Sequence, residues 1–362
     1  MKHFDIAVIG AGPAGANFAR LADSESHKIL VIHNEGYEKP CGGLLSPDAA
    51  RALAAYDLTL PAEILASPQI FAVRVIDLES GLCKRYPRHY LNMKRSAFDA
   101  WLRSFIPPQV TVVRGKCVKI TDSENVFSIR LANGEIYTAD KIVGADGASS
   151  LVRRTFFPEC KCRRYTAIQQ QFRAKNGNAF YSCIYDAKTS PACSWILFKD
   201  SVMTFGGAFS PAHSRKSFEE QKQRLIGKGI VCAEDFSNPI KTEACEVLCP
   251  AQKGFCMGND RIFLIGEAAG FISPSSFEGI SYALLSAEAL AQAFESEKPK
   301  EKYFLLTEKL RLKLRIKAIK CDILSSPFLR EGIMRSGITA IKSRSTQSLN
   351  PKNEITTERN FS

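Results

Sequence analysis

The sequence predicts an α/β fold in which a lobe with a parallel sheet is interleaved with a lobe that has an antiparallel sheet. Two stretches near opposite ends of the chain, FDIAVIGAGPAGANFARLA and DRIFLIGEAAGFISPSSFEGISYALLSAEALAQAFES, each indicate an apolar strand, a glycine-rich turn and an alanine-rich helix. Between them, aromatic-rich strands dominate from about residue 165 to residue 248. The parallel-sheet lobe is therefore predicted to be discontinuous.

The first strand–helix–strand unit begins with a strand over Ile6 to Ile9 and ends with the apolar strand in KILVIHN. Between these strands stands GAGPAG, a Rossmann-like pattern whose first glycine forms the turn and whose third lets helix and strand pack. The second glycine lets the backbone approach a pyrophosphate, and the positive helix N-terminus attracts its charge. The predicted nucleotide-binding turn consists of Gly10, Gly12, Pro13, Ala14 and Gly15, and the alternative is a simple tight turn.

The end of the second strand is where such folds usually place an acidic residue that binds ribose hydroxyls. His33 occupies that position here, and Glu35 follows two residues later. A neutral imidazole accepts a hydrogen bond through one nitrogen, so either residue is a candidate ribose ligand. The alternative for His33 is a surface histidine that ends a strand.

The remaining elements alternate between the two lobes. Residues 67–91 alternate apolar and polar side chains around a Ser-Gly turn, which indicates a hairpin in the second sheet. KRSAFDAWLRSFI indicates an amphipathic helix, VTVVRGKCVKI and FSIRLANGEIYTADKIVGAD indicate strands, and the chain returns to the first sheet at Lys141 to Asp146. The predicted boundaries are 1–66, 92–164 and 250–297 for the first lobe, 67–91 and 165–249 for the second, 298–345 for a basic C-terminal helical segment, and 346–362 for a disordered tail.

The composition is that of a globular protein, since the chain of 362 residues is 45% apolar. It has no apolar run long enough to span a bilayer, and its N-terminus lacks the ordered regions of a secretory signal, so a cytoplasmic location is predicted. The twelve cysteines are scattered and are expected to be reduced. Neither Cys160-x-Cys162 nor Cys245-x3-Cys249-x6-Cys256 has the spacing of a zinc knuckle, so no metal site is predicted.

The formal net charge of +12 is concentrated near the C-terminus, where residues 298–344 contain 13 basic and 4 acidic residues. This segment includes KLRLKLRIKAIK, whose apolar residues alternate with period two although its length and composition favour a helix. The basic surface is either a peripheral contact with anionic headgroups, at the inner face of a membrane, or a solvated face. Nucleic acid is not a predicted partner, because aromatic side chains that would stack on bases are few there, and the oligomeric state is left open.

Three further stretches resemble the fingerprints of FAD-dependent enzymes of the p-hydroxybenzoate hydroxylase fold. They are GADGASSLVRR with Asp146 and Gly147, FLIGEAAGF with Gly266, Glu267 and Ala268, and KRSAFDAWL with Arg95. The resemblance implies a non-covalently bound FAD that Arg95 meets at the flavin nucleotide and that Gly279 and Ile280 contact through their backbone. Val118 is implied as a further FAD contact. Carboxylates such as Asp146 and Glu267 are chemically suited to accept hydrogen bonds from ribityl or ribose hydroxyls.

Each of these residues also has an ordinary structural interpretation. Asp146 could be a turn residue before Gly147, Arg95 an exposed helix arginine, and Gly279 part of a loop-to-helix turn.

Within that superfamily, PCGGLL, GEAAGFISPSSFEGI and SWILFKD resemble motifs of the geranylgeranyl reductase branch. The likeness is strongest to a bacterial reductase-like flavoprotein and runs from the N-terminus to about residue 340. It implies reduction of carbon–carbon double bonds in a polyprenyl or other isoprenoid lipid, with electrons from NADPH or a ferredoxin-like carrier. Cys41 would be the catalytic group, either as proton donor or as a residue that positions the substrate. The backbone amides of the neighbouring Gly42 and Gly43 would approach the isoalloxazine ring of FAD. The alternative is that this loop is only a bend. Trp195 and Phe198 would line an apolar substrate pocket or pack in the core.

The chain departs from the family pattern at three positions. Glu267 stands where most relatives have Asp, Lys199 follows Phe198 where the reductase motif has proline, and Gly270-Phe271 stands where hydroxylases have His. The last difference argues against a hydroxylase, and Lys199 leaves the substrate open. Two rival functions remain: an FAD-dependent monooxygenase of an apolar substrate, and a lipid-binding flavoprotein at the membrane surface with little turnover.

Overall fold

The computed structural model describes residues 2–123, 125–160, 162–174, 180–249 and 254–341. The chain divides into two compact units: the first comprises Met1–Ile64, Met93–Arg164 and Glu246–Ile319, and the second comprises Leu65–Asn92, Tyr165–Cys245 and Lys320–Ser362. The disordered tail predicted for 346–362 lies outside the described residues, as does the end of the basic segment from residue 342.

Strands and helices alternate through the first part of the chain, and helices close it. In chain order the elements are β1 (Lys2–Ile9), α1 (Pro13–Leu21), β2 (Ile29–His33), β3 (Leu44–Leu45), α2 (Pro47–Ala55), β4 (Ile70–Asp77), β5 (Cys83–Asn92), α3 (Arg95–Arg103), β6 (Thr111–Arg114), β7 (Cys117–Ser123), β8 (Val126–Leu131), β9 (Ile136–Gly144), α4 (Leu151–Phe156), β10 (Arg163–Arg173), β11 (Phe180–Tyr185), β12 (Ser194–Lys199), β13 (Val202–Phe209), α5 (Ser214–Gly227), β14 (Lys241–Cys249), β15 (Ile262–Leu264), α6 (Ile280–Phe294), α7 (Pro299–Leu306), α8 (Glu308–Ser325) and α9 (Pro327–Ser336). Single 3₁₀ turns occur at Ala62–Ile64, Pro211–His213, Ala233–Phe236 and Gly266–Ala269.

A mainly parallel sheet with strand order β6-β2-β1-β9-β8-β7 forms the first unit, and β15 pairs with β9. Strand β1 lies parallel to β2 and to β9, with Val8 opposite both Val31 and Val143. Most of β1 and β2 and all of β15 are buried, as expected of parallel strands that helices cover. The predicted α/β class and the return of the chain to the first sheet are confirmed.

Helices α1 and α6 pack against each other on this sheet. Small alanines on both helices allow a close approach, and the Phe294 ring lies 5.7 Å from the Phe18 ring and 5.1 Å from the Phe263 ring, measured between centroids. These edge and tilted aromatic contacts fill the space that the alanines leave. The packing of α1 on α6 brings together the two glycine turns that precede these helices.

The second unit is built on a sheet with strand order β14-β10-β13-β12-β11-β4-β5. Strands β10, β13, β12 and β11 pair antiparallel in that order, and β4 and β5 form the predicted hairpin. The predicted antiparallel sheet is confirmed, with one parallel pair inside it, because β11 lies parallel to β4. The β4–β5 hairpin comes from a distant part of the chain, so no short turn fixes the direction of its neighbour.

The basic C-terminal segment is helical, as predicted, over α7, α8 and α9. Its first part is anchored to the first unit: the Tyr303 hydroxyl donates to the Leu264 carbonyl at 2.9 Å, and Leu314 and Ala318 are buried. Among the helices of the described residues, none combines the length and the apolar character needed to cross a membrane.

A buried ion cluster fixes α9 within the second unit. Arg330 is fully buried, and its guanidinium donates to Asp77 at 2.8 Å and to Glu79 at 2.6 Å. Burial works to raise the pKa of Asp77, but the hydrogen bonds from Arg330 and Ser80 and the charge of Arg330 together outweigh it and hold that pKa below its usual range. Burial, and after it the neighbouring carboxyl of Asp77, raise the pKa of Glu79. The cluster therefore depends on the single buried cation.

Replacing Arg330 by Ala is expected to lower the free energy of unfolding by about 3–5 kcal/mol, because it leaves Asp77 buried without its counterion. Arg335→Ala is the matched control: this arginine lies on the same helix but is exposed and pairs with Glu331, so its loss should change stability by less than about 0.5 kcal/mol. Urea unfolding of both variants checks the prediction, and equal effects would contradict it.

Candidate functional site

The glycine turn after β1 is shaped by close approaches of the backbone. A Cβ atom on Gly15 would lie 1.9 Å from the carbonyl oxygen of Gly10, and one on Gly10 would lie 2.6 Å from the carbonyl oxygen of Ala145. Gly10 also has φ of +106°, which side chains rarely adopt. Gly12 differs, since among the described residues no atom apart from those of its two chain neighbours lies within 4 Å of its Cβ position. The turn thus leaves an open cradle at the N-terminus of α1, which fits a pyrophosphate.

Gly15→Ala and Gly12→Ala separate packing from ligand binding. In the FAD-free protein, Gly15→Ala should lower the free energy of unfolding by at least about 3 kcal/mol, because its methyl group overlaps the Gly10 carbonyl. Gly12→Ala should leave that stability within about 0.5 kcal/mol, yet weaken FAD binding, because its methyl group occupies the cradle. Urea unfolding and FAD titration check both; a similar stability loss in the two variants would refute this interpretation of the turn.

Asp146 lies directly beyond β9, beside the glycine turn. Its Oδ2 accepts hydrogen bonds from the backbone N–H groups of Leu151 at 2.6 Å and Val152 at 3.3 Å. Its Oδ1 is buried and has no hydrogen-bond partner among the described residues. Burial raises the pKa of Asp146 despite the hydrogen bonds that oppose it. A buried acceptor without a protein donor fits a hydroxyl group supplied by a cofactor.

Asp146→Asn removes the charge from this acceptor and is expected to weaken FAD binding about 10- to 100-fold, the cost of one charge-assisted hydrogen bond. Asp122→Asn serves as control, because this carboxylate of the same unit is partly exposed and pairs with Arg261. Titration of FAD-free protein with FAD, followed by flavin fluorescence, measures both affinities. Unchanged affinity in Asp146→Asn would remove the residue from the binding site.

The third fingerprint joins the first two through backbone and side-chain contacts. A Cβ atom on Gly266, whose φ is +58°, would lie 2.9 Å from the Cβ atom of Ala14 in the glycine turn. The fully buried Arg153 donates to the carbonyl oxygens of Ala148 and Ala268, the latter at 2.8 Å. Arg153 was not among the predicted site residues, although it lies in the fingerprint GADGASSLVRR. The three fingerprints therefore converge in the first unit.

Glu267 is engaged by protein groups. Its Oε1 accepts from the Leu248 N–H at 3.0 Å, and its Oε2 is paired with the Lys39 ammonium group. The carboxylate is mostly buried. Contact with FAD hydroxyls stays a prediction for Glu267, while the observed pair connects this fingerprint to the loop that carries Cys41. Lys39 was missed because nothing in its local sequence indicates a distant partner.

The PCGGLL loop presents Cys41 to a cationic side chain. Its Sγ accepts a hydrogen bond from the Gly43 N–H at 3.3 Å and another from the Arg95 guanidinium. Arg95 also pairs with Asp99 at 2.8 Å. Burial alone would lower the pKa of Arg95, but Asp99 and Cys41 outweigh it and raise that pKa above its ordinary value. A thiol with a nearby guanidinium and a backbone donor readily gives up its proton.

Arg95→Met is expected to slow alkylation of Cys41 at pH 7 by about tenfold, because loss of the guanidinium leaves less of the sulfur as thiolate. Arg114→Met, which alters an exposed arginine of the same unit, should leave the rate unchanged. Peptide mapping by mass spectrometry after timed exposure of FAD-free protein to iodoacetamide follows Cys41 among the other cysteines. Equal rates would show that Arg95 does not influence the thiol.

His33 and Glu35 lie at the end of β2, as predicted. Burial lowers the pKa of His33, and the nearby Arg103 lowers it further, so the ring is neutral at pH 7. Glu35 is exposed and pairs with Arg114 at 3.0 Å. Which of the two meets a ribose stays a prediction.

The other predicted residues occupy varied positions. Gly42 is partly buried beside Cys41, Gly147 forms a turn with φ of +72°, and Val118 lies exposed on β7. Gly279 precedes the N-terminus of α6, whose first residue is Ile280.

Trp195 and Phe198 lie on β12 in the second unit, and their regular pairing with β13 places them on opposite faces of the sheet. Phe198 packs against the apolar core of that unit. A Cβ atom on Gly206 would lie 2.6 Å from the Trp195 indole, so the indole covers that glycine. Phe198 thus shows the core packing that was the predicted alternative to a pocket, and contact of Trp195 with a substrate stays a prediction.

Sheet order, glycine cradle and buried acceptor together define a dinucleotide-binding flavoprotein of the oxidoreductase class. Comparison with known proteins agrees: residues 4–174 match the family described as pyridine nucleotide-disulphide oxidoreductase. The protein CbrA of Shigella flexneri is 43% identical over 353 residues, which cover 94% of this chain and 95% of that protein. This chain belongs to the CbrA family, as the sequence resemblance predicted. The family match and the fold shared with FAD-dependent proteins support FAD as the cofactor.

Two solved structures share the fold. A geranylgeranyl bacteriochlorophyll reductase-like protein from Thermoplasma acidophilum has a TM-score of 0.81 at 19% identity, over 99% of this chain and 97% of that chain. PqsL from Pseudomonas aeruginosa, a probable FAD-dependent monooxygenase, has a TM-score of 0.68 at 16% identity, over 92% of this chain and all of that chain. The predicted p-hydroxybenzoate hydroxylase-like architecture is thereby confirmed.

Proposed function

We propose that this protein is an FAD-dependent reductase that saturates carbon–carbon double bonds of a polyprenyl-type lipid. The observation that carries the proposal is the contact of the Cys41 thiol with Arg95, in a glycine-rich loop of the unit that holds the three fingerprints. The pairing of Glu267 with Lys39 holds that loop at the third fingerprint. The fold shared with a reductase-like protein supports the same assignment.

The residues suited to hold FAD are those that the fingerprints bring together. The open cradle at Gly12 receives the pyrophosphate, the Asp146 carboxylate accepts a hydroxyl hydrogen bond, and His33 or Glu35 meets the ribose. Held by these residues, FAD would supply hydride chemistry at one alkene carbon, with electrons from NADPH or a ferredoxin-like carrier.

Cys41 donates the proton that the second alkene carbon needs. Hydride and proton together add two hydrogens across the double bond, and the sulfur is left as a thiolate. Arg95 and the Gly43 N–H stabilise that thiolate, which makes the thiol a stronger acid. Because Cys41 is only half-buried, water can return the proton after each turnover.

An FAD-dependent monooxygenase is the competing candidate, since PqsL shares the fold. The absence of a histidine at Gly270-Phe271 weighs against it. The two functions differ in their need for oxygen. Chemically reduced protein is mixed with polyprenyl alcohols and diphosphates under inert gas, and flavin reoxidation and lipid mass are recorded. A gain of two hydrogens per bond supports the reductase, whereas turnover only with oxygen would establish the monooxygenase.

Cys41→Ser tests the proton donor in the same assay. The variant should bind FAD normally and lose at least about 100-fold in turnover, as expected when a general acid is removed. Cys83→Ser is the matched control, because Cys83 is exposed on a strand of the second unit. Full turnover in Cys41→Ser would show that the loop has a purely structural role. The reductase function would then still hold, but without Cys41 as its proton donor.

A further inference from the structure

Helix α8 carries a stripe of apolar side chains that faces away from the core. Leu312, Ile316, Ile319 and Ile323 are 55%, 59%, 50% and 38% exposed. Their spacing of four, three and four residues places them within one narrow sector of the helix surface. We call these four residues the α8 stripe.

The stripe is distinct from the face that attaches α8 to the protein. That second face contains Arg311, Leu314 and Ala318, which are buried. The helix is therefore apolar on two sides, which explains why its sequence alternates with period two instead of showing one amphipathic face. An exposed row of large aliphatic side chains is unfavourable in water and marks a surface that another phase or molecule covers.

One side of the stripe is basic and the other is mixed. Lys309, Lys313 and Lys320 follow the first side, and Glu308, Arg315 and Asp322 lie on the second, at the angular positions that 100° per residue gives. Of these lysines, Lys313 pairs with Asp48. Helix α8 as a whole has six basic and two acidic residues. Further exposed apolar side chains occur on the preceding helix α7, at Phe304 and Leu305.

We propose that the α8 stripe docks this protein on the surface of an anionic lipid bilayer. The helix lies in the plane of the interface, with its isoleucines at the boundary between headgroups and acyl chains and its lysines on the lipid phosphates. The positive charge of α8 favours a lipid bilayer over a second copy of the chain as the partner that covers the stripe. A second copy of the chain would bring together two helices that each carry six basic and two acidic residues, whereas an anionic surface neutralises this excess of positive charge.

This docking goes beyond the reductase chemistry and does not depend on it. It supplies a physical reason for a lipid substrate to reach a protein whose described helices do not cross the membrane. The two proposals are separable, because the stripe contains none of the residues assigned to the flavin site.

The test uses the full FAD-loaded chain and sedimentation with vesicles of phosphatidylcholine, alone or mixed with phosphatidylglycerol in equal parts. Wild type should bind the mixed vesicles and lose that binding at high salt. The triple variant Leu312→Gln, Ile316→Gln, Ile319→Gln should bind at least about tenfold less. Phe71→Gln with Ile240→Gln, which alters exposed apolar residues elsewhere, should bind like wild type. Lys309→Glu with Lys320→Glu should lose the preference for the anionic lipid.

FAD content and thermal melting confirm that each variant is folded, and reduction of a detergent-solubilised polyprenyl lipid should be unchanged in the triple variant. Wild-type binding by the triple variant would overturn the proposal. So would a wild-type dimer, seen in sedimentation velocity, that the triple variant converts to monomer without any binding to vesicles, since a second copy would then cover the stripe.

Discussion

The arrangement of the first unit depends on one close backbone approach, that of α1 to the end of β1. Without a side chain on Gly15, the helix begins directly against the Gly10 carbonyl, and Gly10 in turn lies against Ala145 at the end of β9. These contacts fix α1 relative to two neighbouring parallel strands, and they bring Ala14 against Gly266. The open space at Gly12 is a consequence, since packing holds the backbone on either side of it.

A second set of interactions is electrostatic and connects this turn to the loop that carries Cys41. Arg153 links the segment after β9 to the 3₁₀ turn at Gly266–Ala269, and Glu267 of that turn holds Lys39. Two residues beyond Lys39, Cys41 meets Arg95. The length of the Glu267 side chain suits this geometry, because its carboxylate reaches both the Leu248 N–H and the Lys39 ammonium group. Removing either member of a mostly buried pair of this kind is destabilising.

The local elements of this fold could be predicted from the sequence, because apolar strands, glycine turns and alanine-rich helices are encoded by neighbouring residues. The contacts of Lys39 and Arg153 could not, since each joins segments that are distant in sequence. The opposite orientations of Trp195 and Phe198 could be predicted from the sequence, because side chains an odd number of residues apart in a strand lie on opposite faces of the sheet. In α8 the period-two pattern was ambiguous because a helix with two apolar faces shows the same alternation.

Each of the two units is closed by contacts between residues that are far apart in the sequence. Within the second unit, Arg330 pairs with Asp77 across 253 positions of sequence, and within the first unit α1 packs on α6, whose Leu284 carbonyl accepts from Asn17 across 267 positions. Closing such long loops costs conformational entropy before the contact stabilises anything. Neither unit can therefore complete its core until nearly the whole chain has been synthesised. The buried charge of Arg330 reinforces this, because the Asp77 carboxylate lacks its counterion until α9 arrives. The C-terminal helices α6 and α9 thus complete the two cores, and α8, which lies between them in the sequence, carries the exposed apolar stripe.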